Sequence, residues 1–174
     1  MIARRTLLTG MGALIVAGGA WTGGAYRASL AAAGMRLEGR SSVLDTTAGA
    51  LEYAVAGHGS QLMMIHGTGG GFDQGLLFAN GLRAKGFQVI APSRFGYLKS
   101  AFPEDASPAR QADVLVELLD HLGIESLPVI GGSAGALTAA EVALRHPDRC
   151  ARLVLLVPAA NLPGRDPVEF TALQ

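Results

Sequence analysis

Residues 131–135 read GGSAG, that is Gly131, Gly132, Ser133, Ala134 and Gly135. The spacing matches G-x-S-x-G, a pattern that holds a serine on a sharp strand-to-helix turn. A serine hydroxyl attacks a carbonyl efficiently only when a base takes its proton and nearby donors hold the oxyanion that forms. The pattern is short, and with 24 glycines in 174 residues it can arise by chance, so its surroundings decide its weight. Apolar LPVI (127–130) enters the turn and ALTAAEVALR (136–145) leaves it as a helix, whose free N–H groups aim back toward the serine. The bland alternative is a glycine-rich crossover in which Ser133 merely caps the helix.

A second run, HGTGGG at 66–71, directly follows the apolar stretch QLMMI. A tetrahedral acyl intermediate needs two N–H donors for its oxyanion. One comes from the residue after the nucleophile, here Ala134, and the other from the loop after the third strand. Thr68 is the expected second donor because it follows the His66–Gly67 pair. Gly67 and Gly69 let this loop approach a substrate closely.

The elements that must position these residues begin near residue 41. SSVLDTT (41–47) and LEYAVAG (51–57) predict two short strands about a turn at Gly49, with Leu51, Tyr53 and Val55 on one face of the second. QLMMIHG (61–67) predicts a third strand, and a helix follows from about Phe72 to Lys85, ended by Gly86. FQVIAPS (87–93) is a fourth strand and RFGYLKSAFPEDA a loop. Ser107 and Pro108 open a helix whose apolar face is Val114, Leu115, Leu118, Leu119 and Leu122. SLPVIGG (126–132), a helix from Ser133 to Arg145 and RLVLLVPAA (152–160) complete the pattern. Alternating strands and helices at short spacing predict an α/β fold, a three-layer sandwich with a mostly parallel sheet. Ligands then bind beyond the carboxyl ends of the strands, the edge from which both glycine-rich loops leave.

At IHGTGGG, APSRFGYLKS, GGSAGALTA and LRHPDR the chain resembles the α/β-hydrolase family. The resemblance covers about residues 43–174 and implies that the serine attacks a small acyl-type substrate: an ester, amide, thioester or activated carbon–carbon bond. It implies no cofactor. By resemblance His66 shapes the oxyanion loop and is not the catalytic base. The loop after the fourth strand often reads D-x-x-G-x-G-x-S in that family. Here it reads SRFGYLKS, with Ser93 in the place of the acid.

The family orders its triad as serine, then acid, then histidine. After Ser133 there is one histidine, His146, at the far end of the nucleophile's own helix. A helix of that span is roughly 20 Å long, so His146 is expected to lie far from Ser133. His58 falls in a turn, and His121 near a helix end. Asp148, Asp166 and Glu169 are acids by type only. The base and the cap that sets substrate choice are therefore expected to be missing, and the isolated chain to be inactive or nearly so. LVLLV (153–157) reads as an interior parallel strand buried on both faces. On this reading residues 41–174 form a partial α/β-hydrolase domain, incomplete after the sixth strand. A non-enzymatic subunit completed by another chain is the second reading.

Residues 1–40 differ from the rest. Arg4 and Arg5 precede TLLTGMGALIVAGGAWTGGAY, which carries no charge from Thr6 to Tyr26. This predicts an N-terminal apolar helix that is a membrane anchor through residues 6–26 or an export signal, with a buried helix of a soluble domain as the bland alternative; RRTLL loosely resembles a twin-arginine signal. The first two readings place the remainder at a membrane or outside the cytoplasm. The formal net charge of zero gives no electrostatic footprint for nucleic acid. The lone Cys150 forms no internal disulfide, and no cysteine–histidine cluster suggests a metal. Nucleotide binding at GTGGG lacks a glycine at Phe72 and a Walker lysine.

Overall fold

A computed structural model describes residues 23–158. The chain divides into two compact units, 1–40 and 41–174. In the first, residues 23–37 form helix α1. No helix among the described residues is long and apolar enough to cross a membrane. Residues 6–22 of the expected leader lie outside the described residues.

The second unit is built on a six-stranded sheet in the order β1-β2-β4-β3-β5-β6. Its strands are β1 (Ser42–Thr46), β2 (Gly49–Ala56), β3 (Ser60–Ile65), β4 (Phe87–Pro92), β5 (Leu127–Gly132) and β6 (Cys150–Leu156). β1 and β2 form an antiparallel hairpin, and β2 joins β4 antiparallel. β4, β3, β5 and β6 run parallel. The expected mostly parallel α/β sheet is therefore the observed one.

Helices cover both faces. α4 (Pro108–His121) and α5 (Gly135–Arg145) pack on one, over Leu51, Tyr53, Met63, Ile65, Ile90 and Val129. α4 starts as its sequence predicts: the Ser107 hydroxyl accepts from the Arg110 N–H at 3.1 Å, with Pro108 as the first helical residue. On the other face lies α2 (Phe72–Phe78), where a Cβ on Gly75 would sit 2.9 Å from the Met64 carbonyl and 3.1 Å from Ala91. The helix expected to run unbroken to Lys85 breaks at Ala79 into α2 and α3 (Asn80–Ala84). The weak helix formers Asn80 and Gly81 follow the break.

Burial varies along β2. Leu51 and Tyr53 are buried, but Val55 is 44 % exposed. On the opposite face of β2, Glu52 is only 2 % exposed, because β2 lies between β1 and β4. β6 is an outermost strand among the described residues, and Leu153 to Leu156 are 40–44 % exposed there. Only β5 pairs with it among the described residues.

One close approach places α5. A Cβ at Gly135 would collide with the His66 carbonyl and lie 2.6 Å from the Ile65 carbonyl. The first turn of α5 thus rests directly on the end of β3. Gly135→Ala is expected to lower stability by about 3 kcal/mol, since backbone on both sides prevents relaxation. Urea unfolding of the variant beside the parent chain measures it.

Candidate active site

Ser133 sits between β5 and α5 with φ +51°, a left-handed conformation that a serine rarely adopts. The strain is held from three sides. The Ser133 N–H donates to the Leu156 carbonyl of β6 at 2.8 Å, and its carbonyl accepts from the Ala136 N–H at 3.0 Å. Gly131 is pressed against α5, where a Cβ would lie 2.6 Å from both the Ala136 Cα and the Ala139 Cβ. α5 begins at Gly135 rather than at Ser133, so the serine stands in the turn itself and is exposed. It lines a cavity of about 310 Å³ with Phe78, Gly132, Leu156 and Val157.

The glycine-rich loop adjoins the serine: a Cβ on Gly67 would lie 3.2 Å from the Ser133 Cβ. Its conformation is fixed by His66, which is fully buried. The Arg94 N–H donates to His66 Nε2 at 2.9 Å, so Nδ1 carries the proton and donates to the Gly67 carbonyl at 2.7 Å. Burial pushes the imidazole down from 6.5 to about 4; the Gly67 contact opposes this, the Arg94 charge reinforces it and the Asp73 carboxylate opposes it. Arg94 Nη1 also reaches the Gly67 carbonyl at 3.4 Å. The guanidinium is half-buried, its Cζ 5.6 Å from the Tyr97 ring centroid. Tyr97 packs edge-on against His66 and donates its hydroxyl to the Thr68 carbonyl at 3.2 Å.

Peptide planarity turns these contacts into an orientation. The Gly67 carbonyl and the Thr68 N–H belong to one trans peptide and point in opposite directions. With the carbonyl held by His66 and Arg94, the Thr68 N–H faces away from both. The same logic applies at Ser133: its carbonyl is taken by Ala136, so the Ala134 N–H points the other way. Neither N–H has an acceptor among the described residues. The Gly67 N–H, in contrast, is occupied by Gln74 Oε1 at 2.9 Å. Gln74 also bounds the loop at Gly69, where a Cβ would come 2.7 Å from its Nε2.

No histidine reaches the serine. His66 is committed to the loop. His146 Nε2 lies 2.8 Å from Asp113 Oδ1, in a cluster with Arg145 that joins α5 to α4. This places it at the amino edge of the sheet with Asp148, a strand length of about 20 Å from the carboxyl edge. His121 ends α4 beside Tyr53, and His58 lies in the β2–β3 turn. Asp166 and Glu169 lie outside the described residues. Among the described residues no group of side chains is arranged to hold a metal ion. Sequence reasoning gave no role to Gln74, Arg94 or Glu52: Gln74 and Glu52 lie outside the recognised runs, and Arg94 lies within SRFGYLKS without a signal of its own.

A family model described as alpha/beta hydrolase fold matches residues 61–172. A 2-hydroxymuconate semialdehyde hydrolase of Pseudomonas sp. (strain CF600) is 41 % identical over 108 residues, covering 58 % of this chain and 37 % of its own. An epoxide hydrolase of Caballeronia sordidicola is 34 % identical over 122 residues, covering 60 % of this chain and 36 % of its own. Among solved structures, an alpha/beta hydrolase fold protein from Nakamurella multipartita superposes with a TM-score of 0.66 at 29 % identity, over 74 % of this chain and 45 % of that one. The N-acyl homoserine lactonase AidH gives 0.59 at 29 % identity, over 68 % and 44 %. In each case the match spans less than half of the relative's length.

The buried neutral His66 makes the fold acid-sensitive. Above pH 6.5 the imidazole is neutral in folded and unfolded chains alike and has no effect on pH dependence. As pH falls from 6.5 to about 4 the unfolded chain binds a proton that the folded one refuses, so stability declines across that window by on the order of 3 kcal/mol. Urea titrations from pH 7.5 to 4 should show the decline, and His66→Gln should flatten it.

Proposed function

We propose that this chain, which belongs to the α/β-hydrolase fold family, carries the nucleophile and oxyanion half of a serine hydrolase acting on a small acyl-type substrate. Ser133 Oγ attacks the carbonyl carbon of an ester, thioester or amide, or of a ketone beside an activated carbon–carbon bond. The Thr68 and Ala134 N–H groups hold the resulting oxyanion. Its collapse expels the leaving group and leaves an acyl-serine, which water then hydrolyses. The observation that carries this reading is the left-handed Ser133, exposed at a cavity, with two nearby N–H donors that have no acceptor among the described residues. The apolar lining by Phe78, Leu156 and Val157 suits an apolar substituent on the substrate.

The proton acceptor for Ser133 is a histidine other than these four. The chain alone is therefore expected to react slowly, at the residual level that an oxyanion hole supports without a complete triad. A fluorophosphonate probe should label Ser133 slowly and above other serines, and Ser133→Ala should remove the label. Rapid labelling would contradict the lack of a base, and equal labelling of the variant would contradict the role of Ser133.

A second reading is a non-enzymatic subunit whose β6 pairs with a strand of another chain. A defined stoichiometric partner together with an unreactive Ser133 would select it. For residues 1–40 we retain the reading of an export signal or anchor. If the arginine pair addresses the chain for export, Arg4→Lys with Arg5→Lys should hold it in the cytoplasmic fraction; unchanged fractionation would exclude twin-arginine export.

A further inference from the structure

Glu52 is a charged side chain on the sheet face that α2 covers, and 2 % of it is exposed. Its carboxylate gathers donors from segments far apart in sequence. The Ser41 hydroxyl donates to Oε1 at 2.6 Å. The Ser93 hydroxyl and the Lys99 N–H donate to Oε2 at 3.1 and 3.2 Å. The Lys99 ammonium stands 4.0 Å from Oε1. The Glu52 N–H donates to Ser100 Oγ at 2.9 Å, and that hydroxyl donates to the Ser93 carbonyl at 2.7 Å. The Ser93 N–H in turn donates to the Glu52 carbonyl at 2.7 Å.

Two of these partners, Ser93 and Lys99, are one step from a clamp on the glycine-rich loop. Ser93 Oγ, whose proton is directed to Glu52, accepts from the Phe72 N–H at 3.0 Å and so anchors the downstream end of the loop. Ser93 precedes Arg94, whose N–H and guanidinium hold His66 and the Gly67 carbonyl. Lys99 closes the turn that carries Tyr97, which holds the Thr68 carbonyl. A carboxylate removed from water persists where several donors meet it, and such a network fails as a unit when its centre is neutralised.

We propose that Glu52 is a positioning residue of the oxyanion site: from β2 it supplies the carboxylate around which the end of β4, the 94–100 turn and the start of α2 are arranged. Its carboxylate meets the Ser93 hydroxyl at 3.1 Å, beside the position where the resembled sequence pattern has an acid. A carboxylate on the neighbouring strand thus stands next to position 93, with Ser93 relaying the contact. The inference rests on the proposed role of the Thr68 N–H as an oxyanion donor.

The test exchanges the two groups in the full chain. Glu52→Gln should slow fluorophosphonate labelling of Ser133 at least tenfold and displace the amide NMR signals of Thr68, Gly69 and Phe72. Ser93→Asp alone sets two carboxylates against each other and should do the same. The double variant Glu52→Gln with Ser93→Asp returns one carboxylate, and should recover labelling to within threefold of the parent and restore the three signals. Unchanged rate and signals in Glu52→Gln overturn the proposal, as do signals that stay displaced in the double variant. If Glu52→Gln does not fold, the double variant decides: recovery supports the proposal, and failure to fold overturns it. If Ser133 of the parent chain is never labelled, the hydrolase reading fails on its own, and the three amide signals alone decide the role of Glu52.

Discussion

The buried imidazole of His66 is the contact on which the order of the candidate site depends. With one nitrogen accepting from the Arg94 amide and the other donating to the Gly67 carbonyl, the ring can serve both partners only as the neutral Nδ1–H tautomer. Burial enforces that state. Because a peptide is planar, fixing the Gly67 carbonyl also fixes the Thr68 N–H. A fully buried side chain therefore sets the direction of an N–H in the loop beside Ser133. Preorganisation of this kind is what makes backbone donors effective, since they need no reorientation when charge appears.

The strain at Ser133 belongs to the same construction. A left-handed serine costs roughly 1 kcal/mol or more and survives only where its surroundings over-determine it. Here β6 holds its N–H, α5 holds its carbonyl, and the neighbouring glycines leave no room for the turn to relax. α5 can descend this far because Gly135 has no Cβ, and that descent brings the turn beside Gly67. The serine and the loop are thus brought together by backbone packing of α5 on β3. Side-chain chemistry enters afterwards, through His66, Gln74, Tyr97 and Arg94.

One further polar cluster lies away from this edge. Asp113, Arg145 and His146 tie α4 to α5 at the opposite side of the sheet. Asp113 is held below the ordinary carboxylate range, first by the Arg145 hydrogen bond and also by that of His146. His146 follows the nucleophile helix in sequence, yet the rise of that helix carries it to the far end of the layer.

Much of the fold was legible in the sequence because its signals are local. Apolar runs, the Ser107–Pro108 helix start and glycine at turns predicted six strands and the mostly parallel sheet. The likeness of HGTGGG and GGSAG to known strand–loop–helix turns brought the two loops to one edge. Local signals also explain a miss: a continuous apolar pattern did not show the break at Ala79. What only the tertiary structure decided are the contacts between distant segments. Glu52 reads as the polar residue of an alternating strand, and nothing near it in sequence marks it as buried among donors from Ser41, Ser93 and Lys99. Arg94 and Tyr97 lie in a loop without periodicity, so their hold on Gly67 and Thr68 became visible only once β3 and β4 were paired. Residue type and spacing determined which groups could do chemistry. The direction of each N–H, the tautomer of His66 and the position of the buried carboxylate follow from packing, which no stretch of sequence contains by itself.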